Sequence, residues 1–366
     1  MDYMKKPTYH FCTPKGWIND PNGLVYFNGE YHIFYQHSPN FEHSKGEPMH
    51  WGHAKTKDFL NWEHLPLALC PDKPFDCDGC WSGTAIVKDD TLYLYYASIV
   101  KTPEGKPGQT ISVAYSKDGV NFEKYEKNPI ITLNHSDGSP NFRDPAIAKI
   151  DDKFYCVIAS GHPENIKGRL LVYESENMFD WDYKGIMYEW DKCKYAECPS
   201  FMKTGNKYLL SASAVTTEDN RFFSIMVGDF ENNKFTPDIS DEIDRGPDQY
   251  AGQIFTDNRG RCILISWIPG WHYEGVFQKD IGCLSLPREI IVKDGKIHAY
   301  PVEEVQHLLK DSDHAVKITD DGLIIERSGK EDVVYQGPAE DVKILRDEYV
   351  LEVFINKGQV NYSIIL

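Results

Sequence analysis

Apolar and polar positions alternate along most of this chain in short runs, and the runs themselves recur. Five segments carry an apolar run, a polar turn and a second apolar run: GLVYFNGEYHIFYQ (23–36), GTAIVKDDTLYLYYAS (83–98), PAIAKIDDKFYCVIAS (145–160), PSFMKTGNKYLLSAS (199–213) and GQIFTDNRGRCILISW (252–267). Side chains on a strand point to opposite faces with period 2, so each segment predicts a β-hairpin. Five further strand pairs fall between and after them, such as MHWGHAKTKDFLNWEHLP, FFSIMVGDFENNKFTP and IGCLSLPREIIVKDGKIHAYP, which starts at Ile281. With Leu24, Ile86, Ile147, Phe201 and Ile254 as equivalent points, the period is 62, 61, 54 and 53 residues. Four strands per period and five periods predict an all-β fold, a five-bladed β-propeller over residues 1–301. An α/β barrel would need long amphipathic helices between strands, and helical periodicity is nearly absent.

In a propeller the innermost strand of each blade lines a central channel, and the same end of successive inner strands converges on one pocket. If the first strand of each repeat is the inner one, the residues just before it are Asn19-Asp20, Trp81-Ser82, Arg143-Asp144, Glu197-Cys198 and Tyr250-Ala251. Three carboxylates, Asp20, Asp144 and Glu197, thus fall at nearly one point of the repeat. Taken singly, Asp20-Pro21-Asn22-Gly23 reads as a tight turn whose aspartate caps it, and Asp144 before Pro145 reads the same way. The coincidence of register weighs against that reading, because acids converging in one channel repel each other and raise at least one pKa, which stability alone does not require.

Composition narrows the partner. The 56 acidic and 39 basic residues give a net charge of -17, which repels phosphate backbones and excludes a nucleic-acid role. No apolar run approaches the length of a membrane span, and MDYMKKPTYHFCTPKG has no apolar signal core, so a cytoplasmic protein with no membrane partner is expected. Nine scattered cysteines form no disulfide framework and are expected as reduced thiols. Cys77 and Cys80 make a CxxC with no second pair or nearby histidines, so no metal site and no cofactor is expected. Aromatic residues make up 13% of the chain, enough to make a small carbohydrate worth testing as partner.

Three separated motifs, WINDPNG (17–23), FRDP (142–145) and ECPS (197–200), together with FYQ (34–36), HWGHA (50–54), WSGTA (81–85), LPRE (286–289) and LEVFINKG (351–358), resemble glycoside hydrolase family 32 over about 340 residues. That family comprises the invertases, sucrose-6-phosphate hydrolases, levanases and inulinases. The resemblance implies a propeller followed by a β-sandwich, here shortened to residues 302–366, where AVKIT, GLIIERS and EYVLEVFINKGQVNYSIIL read as strands. It implies a nucleophile at Asp20, an acid/base at Glu197 and a transition-state stabiliser at Asp144, with Arg143 keeping Asp144 ionised. Asn19, Gln36, Trp81, Ser82, Tyr250 and Trp267 are implied as pocket lining. Trp17 is either lining or core beneath the motif. Cys198 is implied as a neighbour of Glu197 that supports the acid.

The activity so implied is retaining hydrolysis of terminal β-fructosyl linkages in sucrose and short fructo-oligosaccharides. A sucrose-6-phosphate hydrolase or a fructosyltransferase would use the same carboxylates. A non-catalytic sugar-binding propeller would not need both Asp20 and Glu197. Two departures stand out: the family's tryptophan after FYQ is missing from HSPNFEHSKGEP, and residues 302–366 are shorter than the family's usual sandwich. No Arg or Lys at the rim is identifiable from the sequence that could pair with a phosphate.

Overall fold

Each of the five repeats folds into a four-stranded antiparallel sheet whose first strand is the inner one, and the last of them also pairs the short strand Cys283–Leu284. The computed structural model describes residues 5–41, 43–268 and 282–366. The inner strands are Trp17–Phe27, Gly79–Lys88, Phe142–Ile150, Cys193–Thr204 and Tyr250–Thr256. Each packs against the next, and the fifth packs against the first, so the ring is closed. Ile281, the expected start of the last strand pair, lies outside the described residues.

Alternation along the second strand of each blade explains why these strands read as continuous apolar runs. In Thr91–Lys101, Tyr95, Ala97 and Ile99 join the cluster shared with blade three. Their neighbours Leu92, Leu94 and Tyr96 join the cluster shared with blade one. Both faces are buried, as in any strand sandwiched between two sheets. Each gap between blades holds one such cluster, and the gap between blades five and one is filled by Ile18, Leu24, Tyr35, Tyr250, Ile263 and Trp267.

The structure corrects the turn reading of Asp20-Pro21-Asn22-Gly23. The tetrapeptide lies inside the inner strand of blade one, with Pro21 opposite Tyr35. Proline is tolerated there because the inner strand is the edge of its sheet and faces the channel, so no ladder bond is lost. Every inner strand slips register at this point: between Ile18 and Pro21, Trp81 and Gly83, Arg143 and Ala146, Glu197 and Ser200, and Tyr250 and Gln253. Asp144, Cys198 and Ala251 take positive φ at these bulges. A bulge re-aims side chains, and five at one level turn a wall of β-structure into a ring of inward-pointing groups.

After a 3₁₀ turn at Glu303–Leu308, two three-stranded antiparallel sheets follow: Val316–Thr319, Gly322–Ile325 and Val333–Gln336, then Val342–Asp347, Val350–Ile355 and Val360–Ile365. They share a core of Leu323, Ile325, Ile344, Val353 and Ile364 among others. The strands at Val333–Gln336 and Val342–Asp347 fall outside the three runs expected from sequence. The module is joined to the propeller by a buried ionic network: Arg288 donates to Asp244 (2.6 Å) and Glu352 (2.9 Å), and His10 Nδ1 meets Asp347 at 2.9 Å. LPRE and LEVF are therefore two halves of one contact, Arg288 to Glu352.

Candidate active site

The bulged ends of the inner strands open on a cleft of about 360 Å³ that contains Asp20, Asp144 and Glu197. A second opening of about 380 Å³ lies at the far end of the channel, where Leu24, Ile86, Ile147, Phe201 and Ile254, the equivalent points of the repeat, all line it. Among the described residues no carboxylate lines that end, whereas three line the first cleft.

Asp20 is held by blades one, two and four. Its Oδ1 accepts from Asn19 Nδ2 at 3.1 Å, and its Oδ2 accepts from Ser82 Oγ at 2.5 Å and from the Cys198 thiol at 3.5 Å. Asn19 is oriented in turn by Trp17, whose Nε1 donates to its Oδ1 at 2.7 Å. Trp17 thus backs the motif and stands edge-on to Trp267. Burial pushes the Asp20 carboxyl up, the Ser82 hydrogen bond opposes that, and repulsion from Glu197 adds to it.

Asp144 lies deeper. Its Oδ2 accepts the Cys198 N–H at 2.9 Å and faces the Cys198 thiol at 3.6 Å. Burial pushes its pKa to about 7, with Arg143 opposing and Glu197 and Asp20 reinforcing. Glu197 reaches toward the mouth, where Arg143 Nη2 donates to Oε1 at 2.8 Å and the Tyr250 hydroxyl donates to Oε2. Burial and the neighbouring Glu197 push the Tyr250 phenol well above its usual range, so it stays a donor.

One expectation is widened and one changes here. Arg143 does favour ionised Asp144, its Nε standing 3.9 Å away, but its fork is aimed at Glu197, and the guanidinium lies over the Tyr195 ring at 5.0 Å. Cys198 touches Asp20 and Asp144 although it follows Glu197 in sequence. The bulge between Glu197 and Ser200, with Cys198 at φ 47°, makes the two adjacent side chains diverge.

Asn19, Gln36, Trp81, Ser82 and Arg143 line the cleft, and Tyr250 meets it through Glu197. Gln36 is fixed by its Nε2 donating to the Cys80 carbonyl at 3.1 Å. Trp267 is the exception: it is fully buried in the cluster between blades five and one and does not line the cleft among the described residues. It lies on the second strand of its blade, behind the inner one. Five lining residues were not anticipated: Ser44, Lys45, Met49, Tyr195 and Arg221. Tyr195 had a signal, since it stands two residues before Glu197 on one strand. Lys45 and Arg221 are exposed cations at the rim, the feature that no sequence pattern identified.

Chemically, the arrangement offers two partly exposed carboxyls, Asp20 and Glu197, over a buried third, with one guanidinium and one phenol fixing Glu197. Such a set can attack a carbon from one side and protonate a leaving oxygen from the other.

Residues 10–301 match the model of the glycosyl hydrolases family 32 N-terminal domain. The chain is 37% identical over 331 residues to a sucrose-6-phosphate hydrolase of Zymomonas mobilis, covering 82% of this chain and 63% of that protein. It is 33% identical to a raffinose invertase of Escherichia coli, with 82% and 66% covered. The match thus spans somewhat under two thirds of the length of these curated relatives. Among solved structures, a family 32 β-fructofuranosidase of Bombyx mori superposes with a TM-score of 0.84 at 30% identity, over 99% of this chain and 89% of that one.

Proposed function

The chain belongs to glycosyl hydrolase family 32, and from that premise we propose that it is a retaining β-fructofuranosidase releasing terminal fructose from sucrose and short fructo-oligosaccharides. The observation that carries the reading is the convergence of Asp20, Asp144 and Glu197 on inner-strand bulges of three blades, tied together by Cys198 and Arg143. Asp20 attacks C2 of the fructosyl unit and forms an ester, while Glu197 gives its proton to the departing glycosyl oxygen. Water then enters with Glu197 as base. Asp144, buried beneath, accepts from fructose hydroxyls and its charge favours the oxocarbenium-like transition state. A channel closed by converging side chains takes a chain end, so exo-action follows. The relative from Bombyx mori has also been solved with sucrose bound, which supports this substrate class. Nine scattered free cysteines support a reducing, cytoplasmic setting.

Lys45 and Arg221 at the rim favour a second reading, sucrose 6-phosphate, since they supply the local positive charge that a phosphate needs against a net charge of -17. The deciding experiment compares kcat/KM for sucrose, sucrose 6-phosphate, 1-kestose and inulin, with free glucose and fructose both quantified. Fructose short of glucose would mark a transferase. Internal cleavage of inulin faster than terminal release would defeat the exo reading. A strong preference for the phosphorylated sugar, abolished in Lys45→Ala/Arg221→Ala, would establish the second reading. Release of fructose first as the α-anomer would exclude retention.

A further inference from the structure

We propose that Cys12 and Cys283 form a disulfide site that fastens the N-terminal segment to blade five when the protein meets a low-molecular-weight disulfide. The N-terminal segment runs as a strap over three parts of the molecule. The N–H groups of Thr8, Tyr9 and His10 donate to the Asp347 carboxylate of the C-terminal module. Phe11 then forms an antiparallel bridge with Leu284, whose N–H donates to the Phe11 carbonyl at 2.9 Å. Trp17 begins the inner strand of blade one.

Antiparallel register sets the neighbouring pair. If Phe11 faces Leu284 as the hydrogen-bonded pair, Cys12 faces Cys283 as the adjacent non-bonded pair. Cα atoms of such pairs are about 4.5 Å apart, within the roughly 4.4–6.8 Å that a disulfide bridges. The side chains lie together: Cys12 packs on the cluster of Cys283, Ile268, Tyr349, Val350 and Ile365. Both are free.

Their exposures differ, and that sets an order of events. Cys12 is half-buried and Cys283 is fully buried. The Cys12 thiolate attacks one sulfur of the small disulfide and releases one small thiol, leaving a mixed disulfide on Cys12. Cys283 then gives up its proton and attacks the Cys12 sulfur, releasing the second small thiol. Two protein thiols are oxidised and one small disulfide is reduced to two thiols. Burial raises the Cys283 thiol, so the second step is the slow one.

The bond would close a loop from the strap through four blades and the first two strands of the fifth, so its effect is on stability: an upward shift of the thermal midpoint by at least about 3 °C. The test uses the full chain carrying Cys77→Ser, because Cys77 is the exposed competitor. After incubation with oxidised glutathione, non-reducing peptide mass spectrometry should find one cross-linked peptide pair containing Cys12 and Cys283, short by two hydrogens. The midpoint should rise and return on adding dithiothreitol. Cys283→Ser should instead trap one glutathione on Cys12, with no rise in midpoint, and this variant reports even if Cys12→Ser folds poorly. A cross-link between other cysteines, or thiols at Cys12 and Cys283 both intact once free glutathione disulfide is in large excess, would overturn the proposal.

Discussion

Replacing Asp144 by asparagine should nearly abolish activity and yet stabilise the protein, and the stabilisation should be confined to neutral pH. Asp144 is buried, its pKa is raised from 3.8 to about 7, and burial is the main cause, reinforced by Glu197 and Asp20 and opposed by Arg143. Between about pH 4 and 7 the folded state therefore holds a proton that the unfolded state has released, so stability falls as pH rises through that window. One pKa unit corresponds to about 1.4 kcal/mol, which sets an upper limit of about 4 kcal/mol on the cost of ionised Asp144. Relaxation around a buried charge reduces this, and we expect about 1–3 kcal/mol, or several degrees in thermal midpoint.

Asparagine is the right probe because it changes little else. It tolerates the φ of 57° at this position, and its carbonyl can still accept the Cys198 N–H. Activity should fall by roughly 10²–10³-fold, the scale of losing one preorganised electrostatic group. The assay is thermal unfolding of both proteins at pH 4 and 7.5, beside sucrose turnover. A variant no more stable than the parent at pH 7.5, or one equally favoured at pH 4, would refute the claim that Asp144 is held against its charge.

Asp20→Asn should remove turnover at every pH with the thermal midpoint retained, since the amide cannot form the fructosyl ester; residual activity above a few per cent of wild type would exclude Asp20 as nucleophile. Glu197→Gln should slow substrates with poor leaving groups far more than activated aryl fructosides, and equal losses on both would remove it from the acid role. Arg288→Met strands Asp244 and Glu352, all three fully buried, and should cost about 3–5 kcal/mol in urea denaturation. For His10, burial opposes the charge but Asp347 and Glu352 outweigh it and raise the pKa to about 9. Its contribution is complete below pH 6.5 and lost as pH rises through about 9, so the thermal midpoint should fall over that window and His10→Asn should flatten the fall.

The blades were legible in the sequence because each second strand is buried on both faces, which leaves long apolar runs at a fixed period. The sandwich was harder to read. Its strands Val333–Gln336 and Val342–Asp347 have mixed burial, and VKILRD alternates too weakly with charged residues to stand out. Arg288, Asp244, His10 and Glu352 come from four distant segments, and no local pattern announces that they will share one buried contact.

For the cleft, the repeat register was the informative signal, and its reach was limited by the same physics. Residues on the bulges converge because each inner strand departs from regular pairing at one level, so a comparison across blades finds Asp20, Ser82, Asp144, Glu197 and Tyr250 together. A two-residue step along the strand adds Trp17 from Asn19, to which it hydrogen-bonds, and Tyr195 from Glu197, which brings it beneath Arg143. Lys45 lies on the connection after the second strand of blade one, and Arg221 opens the third strand of blade four. Lys45 sits on a connection and not on a strand, and the residue that opens the third strand differs from blade to blade: His50, Pro107, Lys167, Arg221 and Arg288. Rim residues are placed by connections of unequal length, as the periods of 62 to 53 residues already indicate, and it is these unrepeated cations that bear on whether the sugar carries a phosphate. The shared chemistry is therefore written in the repeat and the substrate preference in its irregularities, which is why a sequence comparison between blades identifies the carboxylates and only a structure brings Lys45 and Arg221 to the same opening.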